Sequence, residues 1–477
     1  MTATRHTIPD LDEAGLGLVA EVLALSTRPG DVLALRGDLG AGKTTFARAF
    51  IRAVLDDPAV DVPSPTFTLL QTYATSRFPI SHVDLYRVAS ASELDELGFD
   101  EAVAGSVVLL EWPERAEAAL PASRLDIHFE STADPARRTL HLAALGDWAP
   151  RLDRIRNVHT FLASHARQTG SSARRLRYLQ GDASPRAYAR LDLGQGTRVL
   201  MNAPAMPDGP PVRDGLPYSR IAHLAEDVRP FVAMTRELGR RGLTAPQVHA
   251  QDLAQGLLLL DDLGDLTLGR AAAAGLSQGD LWRAAVQALI ALRRTGSPPR
   301  ALPLTDDATH ALPDFDRRAL SIEAELLVDW YWPAAKGQPI PAAARDEFIA
   351  LWAVQFDWLT SLPKGWVLRD YHSPNLMWMP DRQGLARIGI LDFQDAMAGP
   401  WAYDLASLLQ DARIDVPPTL ESELFDHYCD RVAAIEPDFD RTSFAHAYAA
   451  LGAQRNTKIL GIFARLARRD GKPVYLQ

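Results

Sequence analysis

The sequence predicts two domains of different class, an α/β domain built on a largely parallel sheet and then an α+β domain of two lobes. Three observations predict this. A chain of 477 residues, 23% charged and 47% hydrophobic, exceeds the size at which one core keeps growing. The first third alternates strand-like and helix-like segments around a glycine-rich turn. From about residue 151, short β-like segments come first and helices then dominate. Other classes are excluded by the same composition. The single cysteine, Cys429, cannot form an internal disulfide. The opening MTATRHTIPDLDE carries acids where a signal peptide has a basic head, and no apolar run approaches the ~18 residues that cross a bilayer. A soluble, cytoplasmic chain with no membrane partner is expected.

The elements follow in order. Residues 11–28 have helical periodicity, DVLALRG (31–37) is a short apolar strand, and a glycine-rich turn opens a helix at TTFARAFIRAVL. Strands are predicted at FPISHVDLY (78–86) and GSVVLLEW (105–112), separated by the helical, acidic SELDELGFDEAV. RLDIHFE and RRTLHLAAL read as two edge strands over 124–145, and GDWAPRLDR marks a boundary. Beyond it come a helix at 153–166, β-like segments at RRLRYLQ, YARLDLG and RVLMNAP, a loop at 205–216, a helix at 217–242 and the strand GLLLLDDLGD (256–265). Helices then dominate, interrupted by a loop at 296–307 and a strand pair, WVLRDYH (366–372) with ARIGILDF (386–393). The domain limits are therefore 1–147, 151–265 for a β-rich lobe and 266–477 for a helical lobe.

The net charge of −10 sits in the first third, where 12 Lys+Arg face 22 Asp+Glu; the remainder holds 38 of each. An acidic domain repels a phosphate backbone, so any work on nucleic acid would run through partners. The chain has only five lysines, and Lys43 is the only one in the first 335 residues.

That lysine lies in a phosphate cradle. Gly37, Gly42, Lys43 and Thr44 satisfy G-x-x-x-x-G-K-T after a strand and before a helix, the context of an α/β P-loop NTPase domain. Backbone N–H groups of Gly37, Asp38, Leu39, Gly40, Ala41, Gly42 and Lys43 can converge on the phosphates of ATP, helped by the helix N-terminus. Lys43 is placed to bridge the β- and γ-phosphates and Thr44 to bind Mg2+. Glu111, after VVLL, and Asp84, after SHV, fall at strand carboxyl ends and can complete the metal site; a solvated strand-end carboxylate is the alternative for each. GDLGAGKTTFARAF, VPSPTFTL (62–69), HVDLYR (82–87), ELDELGFDE (93–101) and LLEWPERAEAALP (109–121) together resemble the bacterial TsaE family, the P-loop ATPase of tRNA threonylcarbamoyladenosine biosynthesis. The resemblance covers 1–147. It implies ATP and magnesium binding by Lys43 and Thr44, a metal site completed by Glu111 and Asp84, and a nucleotide-sensing loop at Thr66 and Thr68. It also implies partner proteins of the TsaB/TsaD kind, with tRNA reached only through them. Trp112 either packs near the nucleotide or is an ordinary buried indole.

The second site lies at 369–392. RDYHSPN sets Asp370 and Asn375 five residues apart after a strand, and ILDF presents Asp392 on the next, the spacing of protein-kinase-like phosphotransfer. Asp370 is the candidate base, with Asn375 and Asp392 as magnesium ligands; loop-capping polar residues are the alternative. Asp404 is read as a buttress of this loop that caps its own helix. GDASPRAYARL (181–191), LLLLDDLGD (257–265), LRDYHSPNLMWMP (368–380), the segment 388–413 and the segment 453–476 resemble the aminoglycoside-phosphotransferase superfamily, and within it the N-acetylmuramate/N-acetylglucosamine anomeric kinase branch. The resemblance covers about 155–477. It implies transfer of the ATP γ-phosphate to the sugar's C1 hydroxyl in cell-wall recycling, GDASPR as a phosphate-covering turn, and 257–262 as the adenine-holding hinge.

The sequence departs from that pattern in having no lysine between 44 and 335, so Arg186 or Arg190 is the candidate to clamp phosphate. Leu368 stands where relatives show histidine, and Pro185 where an aromatic is common. For the sugar, Arg455, Asn456 and Lys458 either meet a carboxylate or form a solvated helix face. His372 binds either substrate or its own loop. Trp330, Tyr331, Trp332 and Trp378 either stack on sugar or belong to the core. A different hydroxyl acceptor, such as an aminoglycoside or choline, and a nucleotide-binding adaptor without turnover are the competing functions.

Overall fold

The computed structural model describes residues 4–88, 98–173, 175–179, 186–469 and 471. They form two compact units, Met1–Pro204 with His249–Asp262, and Ala205–Val248 with Leu263–Gln477.

The first unit opens with a seven-stranded sheet. Its strands are β1 (Thr4–Leu11), β2 (Val32–Arg36), β3 (Leu70–Tyr73), β4 (Ile80–Asp84), β5 (Val107–Glu111), β6 (Arg124–Ser131) and β7 (Arg138–Leu145), in the order β1-β7-β6-β2-β5-β4-β3. β2 runs parallel to both β5 and β6. Val32, Leu33, Ala34 and Leu35 are fully buried, because a central parallel strand is covered on both faces and reads as an unbroken apolar run. Helix α1 (Glu13–Ala24) is capped by Asp12, whose carboxylate accepts the Gly15 N–H at 2.8 Å. Helix α2 (Lys43–Leu55) starts on the glycine-rich turn. RLDIHFE and RRTLHLAAL are interior strands rather than edges, since β1 pairs antiparallel with β7 and takes the edge. Only Ile8 of β1 is buried, so no alternation announced that strand.

The same unit holds a second, antiparallel sheet of β8 (Arg175–Leu179), β9 (Ala187–Asp192), β10 (Thr197–Asn202), Leu257–Asp261 and Val248–Asp252. Helix Trp148–Thr169 buries Trp148, Leu152, Ile155, Val158 and Leu162, the three-and-four spacing of an amphipathic face. These side chains join α1, α2 and Leu176, Ala189, Leu191, Leu200, Leu257 and Leu259 in one apolar core. Each fully buried leucine contributes about 1.5–3 kcal/mol, so the two sheets share their main source of stability. Polar contacts reinforce it. The Glu21 carboxylate accepts the Leu176 N–H at 2.5 Å, the Arg77 guanidinium lies 4.2 Å from the Tyr178 ring centroid, and Arg177 pairs with Asp56 at 3.3 Å.

The second unit is mainly helical. The expected helix at 217–242 is two, Tyr218–Ile221 and Arg229–Arg240; between them Asp395 accepts the Ala225 N–H at 2.6 Å, a bond that holds the chain off the helical path. The expected strand pair is also divided. Lys364–Val367 pairs with Met397–Pro400, and Leu376–Trp378 pairs with Ile388–Ile390. The loop at 368–375 thus passes from one two-stranded ribbon to the other. Behind it stand helices Arg317–Leu326, Ala402–Leu409 and Arg441–Arg469.

Candidate functional site

At the first site the sheet brings the expected residues together. Asp84 and Glu111 end β4 and β5 and are register partners. Thr44, on the first turn of α2, donates its hydroxyl to Glu111 Oε2 at 3.0 Å. Asp84 accepts from Ser64 Oγ at 2.8 Å and from the Tyr86 N–H at 2.9 Å. The turn needs its glycines: Gly37 has φ +141, and a Cβ there would stand 2.8 Å from the Phe129 carbonyl oxygen, while Gly40 and Gly42 are left-handed at φ +79 and +106. Leu39 is exposed at its tip, whereas Ala41 is buried.

Lys43 is buried and folds back on its own turn, donating to the Gly37 and Asp38 carbonyls at 2.7 and 2.9 Å. Its ammonium sits 3.7 Å from the Trp112 ring centroid, so this indole lies beside the cradle. Burial pushes the Lys43 ammonium below its usual range, against the attraction of Glu111, Glu114, Asp84 and Asp38. A phosphate would replace two weak carbonyl acceptors with full negative charge. Thr66 reaches Ser64 Oγ at 3.3 Å and through it faces Asp84; Thr68 is exposed.

Two residues here were not read from the sequence. His82 Nε2 lies 2.9 Å from Glu111 Oε1, fully buried, and orients the carboxylate whose other oxygen takes Thr44. Its signal was a polar side chain inside an apolar strand. Arg138, on β7, donates to the Ala41 and Gly40 carbonyls at 3.0 and 3.2 Å and so clasps the turn from outside.

The second site is a braced loop. Asn375 donates its amide to the Asp370 carbonyl at 3.1 Å and lies 3.5 Å from Asp392 Oδ2, while Gln394 donates to Asp392 Oδ1 at 2.7 Å. Asp392 lies past the strand Ile388–Ile390 rather than on it, with φ +55, and Arg369 has φ +75. Non-glycine residues in this region cost about 1–3 kcal/mol each and persist only where the surroundings enforce them. The enforcement is visible. Asp404 is the third residue of its helix, not the cap, and its carboxylate accepts the Leu368 and Arg369 N–H groups at 2.6 and 3.0 Å. Burial raises Asp404 to about 7 despite these donors.

The Arg369 guanidinium is buried, donating to the Ala222 carbonyl at 2.9 Å and to Glu323. Lys458 pairs with the same Glu323 oxygen at 2.8 Å, and Gln454 donates to the other at 3.2 Å. Burial alone would raise Glu323, but Lys458 and Arg369 outweigh it and hold the carboxyl at about 2. Lys458 is therefore structural, neither solvated nor turned to a sugar. Glu323 had no sequence signal, because its role needs partners 46 and 135 positions away. Trp378 is buried in its strand.

In the other unit, Arg190 makes a bidentate pair with Asp262 at 2.6 and 2.9 Å, and Thr197 donates to the same carboxylate at 2.7 Å. Asp262 therefore competes with phosphate for this guanidinium. Arg186 is half-buried just before β9, and the rest of the covering turn, 181–185, lies outside the described residues, as does 93–97 of the acidic motif.

Oxygen donors suit magnesium, and both constellations supply them: Thr44, Glu111 and Asp84 in one, Asn375 and Asp392 in the other. Among the described residues no three His, Cys, Asp or Glu side chains form a metal cage. The ion would be held partly by phosphate, as magnesium usually is.

Residues 12–140 match the Threonylcarbamoyl adenosine biosynthesis protein TsaE family, and residues 175–444 match the Phosphotransferase enzyme family. The chain belongs to both families. The N-acetylmuramate/N-acetylglucosamine kinase of Caulobacter vibrioides is 41% identical over 306 residues, 62% of this chain and 82% of that protein. The tRNA threonylcarbamoyladenosine biosynthesis protein TsaE of Rickettsia conorii is 44% identical over 126 residues, 26% of this chain and 70% of that protein. Among solved structures, the GDP complex of an aminoglycoside 2′-phosphotransferase covers 67% of this chain and 95% of its own at 14% identity and TM-score 0.41. The protein is an enzyme in which a TsaE domain is fused to a phosphotransferase-family kinase domain. Among the described residues, no helix is long and apolar enough to cross a membrane.

Proposed function

We propose that the chain runs two ATP-dependent reactions. The TsaE domain, residues 1–147, hydrolyses ATP in support of tRNA threonylcarbamoyladenosine formation, working in the cytoplasm with TsaB/TsaD-like partners and meeting tRNA only through them. Its acidic balance and the Thr44–Glu111 contact support this reading.

The kinase domain, residues 151–477 with a β-rich lobe at 151–265 and a helical lobe at 266–477, phosphorylates the anomeric hydroxyl of N-acetylmuramate or N-acetylglucosamine for cell-wall recycling. The observation that carries this is the Asn375 amide, which ties the Asp370 backbone to the Asp392 carboxylate on a loop whose relatives act on these sugars. Asp370 takes the proton of the C1 hydroxyl. The freed oxygen bonds to the γ-phosphorus as the bond to the β,γ-bridging oxygen breaks, giving the sugar 1-phosphate and ADP. Asn375 and Asp392 would hold Mg2+, which when bound neutralises phosphate charge. Arg186 or Arg190 supplies the cation that the missing strand lysine would give.

The test is mass spectrometry of sugars incubated with Mg-ATP and the Lys43→Ala chain. Added phosphate on N-acetylmuramate or N-acetylglucosamine, lost on Asp370→Ala, supports the reading. Phosphorylation of an aminoglycoside or choline alone overturns the recycling role.

A further inference from the structure

Five lysine or arginine residues are buried among the described residues: Lys43, Arg293, Arg369, Arg455 and Lys458. Arg293 pairs with Glu436, and Arg369 and Lys458 share Glu323. Lys43 has only carbonyls, and it belongs to a phosphate cradle. Arg455 is the other exception. It is 6% exposed, no carboxylate among the described residues pairs with it, and its one hydrogen bond is long, Nη1 to the Gln410 carbonyl at 3.4 Å. Burying a cation with no carboxylate in direct contact is costly. The buried Asp404 lies within electrostatic reach of Arg455 but spends its oxygens on the Leu368 and Arg369 N–H groups, so the guanidinium fork is left to take an anion from outside the chain.

Its place says which anion. Gln410 precedes Asp411, whose carboxylate accepts the Ser373 N–H at 2.8 Å. Ser373 follows His372, and Asp370 is two residues earlier. Arg455 thus flanks the loop that carries the base. His372 is half-buried, with its Nδ1 atom buried and unpartnered among the described residues. Burial pushes this imidazole down; Asp370 and Asp411 oppose that, while Arg455 and then Arg413 add to it. Of the three helix residues that could meet an acidic acceptor, Lys458 is held by Glu323, and Asn456 is exposed with its amide 3.4 Å from Gln410 Oε1.

We infer that Arg455 forms a carboxylate subsite beside Asp370, so that an acceptor sugar bearing an acidic substituent is preferred over its neutral counterpart. The inference rests on the kinase reading above. N-acetylmuramate differs from N-acetylglucosamine in carrying a lactyl carboxylate, which makes the pair a direct probe.

The experiment measures kcat and KM of the full chain, with Lys43→Ala in the background, for both sugars and for the methyl ester of N-acetylmuramate. Arg455→Gln should raise KM for N-acetylmuramate and shift the ratio of the two specificity constants about 10- to 100-fold toward the neutral sugar. Arg455→Lys, which keeps charge but loses the planar fork, should fall between. The unmutated Arg455 protein should discriminate against the ester by a similar factor, and this arm stands even if the variants fail to fold. An unchanged ratio, with both sugars losing kcat together, or an ester used as well as the acid, overturns the inference. Turnover of neither sugar by the Arg455 protein instead overturns the kinase reading.

Discussion

Thr44 and Glu111 touch across the phosphate cradle, hydroxyl to carboxylate at 3.0 Å, although 67 residues separate them. The parallel pairing of β2 with β5 produces this, because it sets the end of one strand beside the turn that leaves the other. The carboxylate's second oxygen is held by His82, so Glu111 is oriented before any ligand arrives.

Glu111→Ala should lower ATP hydrolysis by at least about 100-fold while nucleotide affinity changes only severalfold, since the cradle that grips the phosphates is backbone. Phosphate release and fluorescent-nucleotide titration separate the two. Joint loss of binding and hydrolysis would make Glu111 a structural prop instead.

His82→Ala leaves Glu111 Oε1 without its buried partner. It should cost about 1–3 kcal/mol of stability and reduce hydrolysis less than Glu111→Ala does. Urea titration and phosphate release on one preparation check both.

Glu323→Gln would leave the Arg369 and Lys458 cations buried together. The expected cost at neutral pH is about 3–5 kcal/mol, with the Asp370-dependent reaction impaired. A carboxyl held at about 2 stabilises above its unfolded value of 4.5 and loses that contribution as pH falls toward 2. The deficit of the variant should therefore shrink on acidification, as measured by denaturant midpoints along a pH series.

Glu21 has the opposite sign. Burial raises its carboxyl to about 7 against the Leu176 amide and Arg175. Between 4.5 and 7 the folded state holds a proton that the unfolded state has lost, so stability declines as pH rises and the full cost is present above 7. Glu21→Gln keeps an acceptor for the Leu176 amide and should stabilise by about 1–2 kcal/mol at about pH 8, with little effect at about pH 5. Equal midpoint shifts at both pH values would contradict this.

The sequence disclosed what local spacing controls. Lys43 and Thr44, or Asp370 and Asn375, are held at fixed offsets by one turn or loop, so residue type and interval announce them. Partners supplied by pairing or packing were faint or silent: His82 shows only as a polar side chain inside an apolar strand, like any core histidine, and Glu323 reads as one more acid on a helix. Arg455 and Lys458 are indistinguishable in the text, one turn apart, yet only one meets a carboxylate. β1 escaped for a related reason. It exposes half of its residues, buries only Ile8 and owes its existence to the free edge of β7. The two strands expected around the catalytic loop were paired with each other, whereas each pairs with a different run, Met397–Pro400 or Leu376–Trp378, because short apolar runs do not specify their neighbours.

The central claim is transfer of phosphate to an anomeric hydroxyl at Asp370. The most direct measurement is phosphorus NMR of N-acetylmuramate incubated with Mg-ATP and the Lys43→Ala chain. An anomeric phosphate resonance that grows as ATP is consumed, and is absent with Asp370→Ala, is the predicted result. A phosphate coupled to any other sugar position, or inorganic phosphate alone, would contradict it.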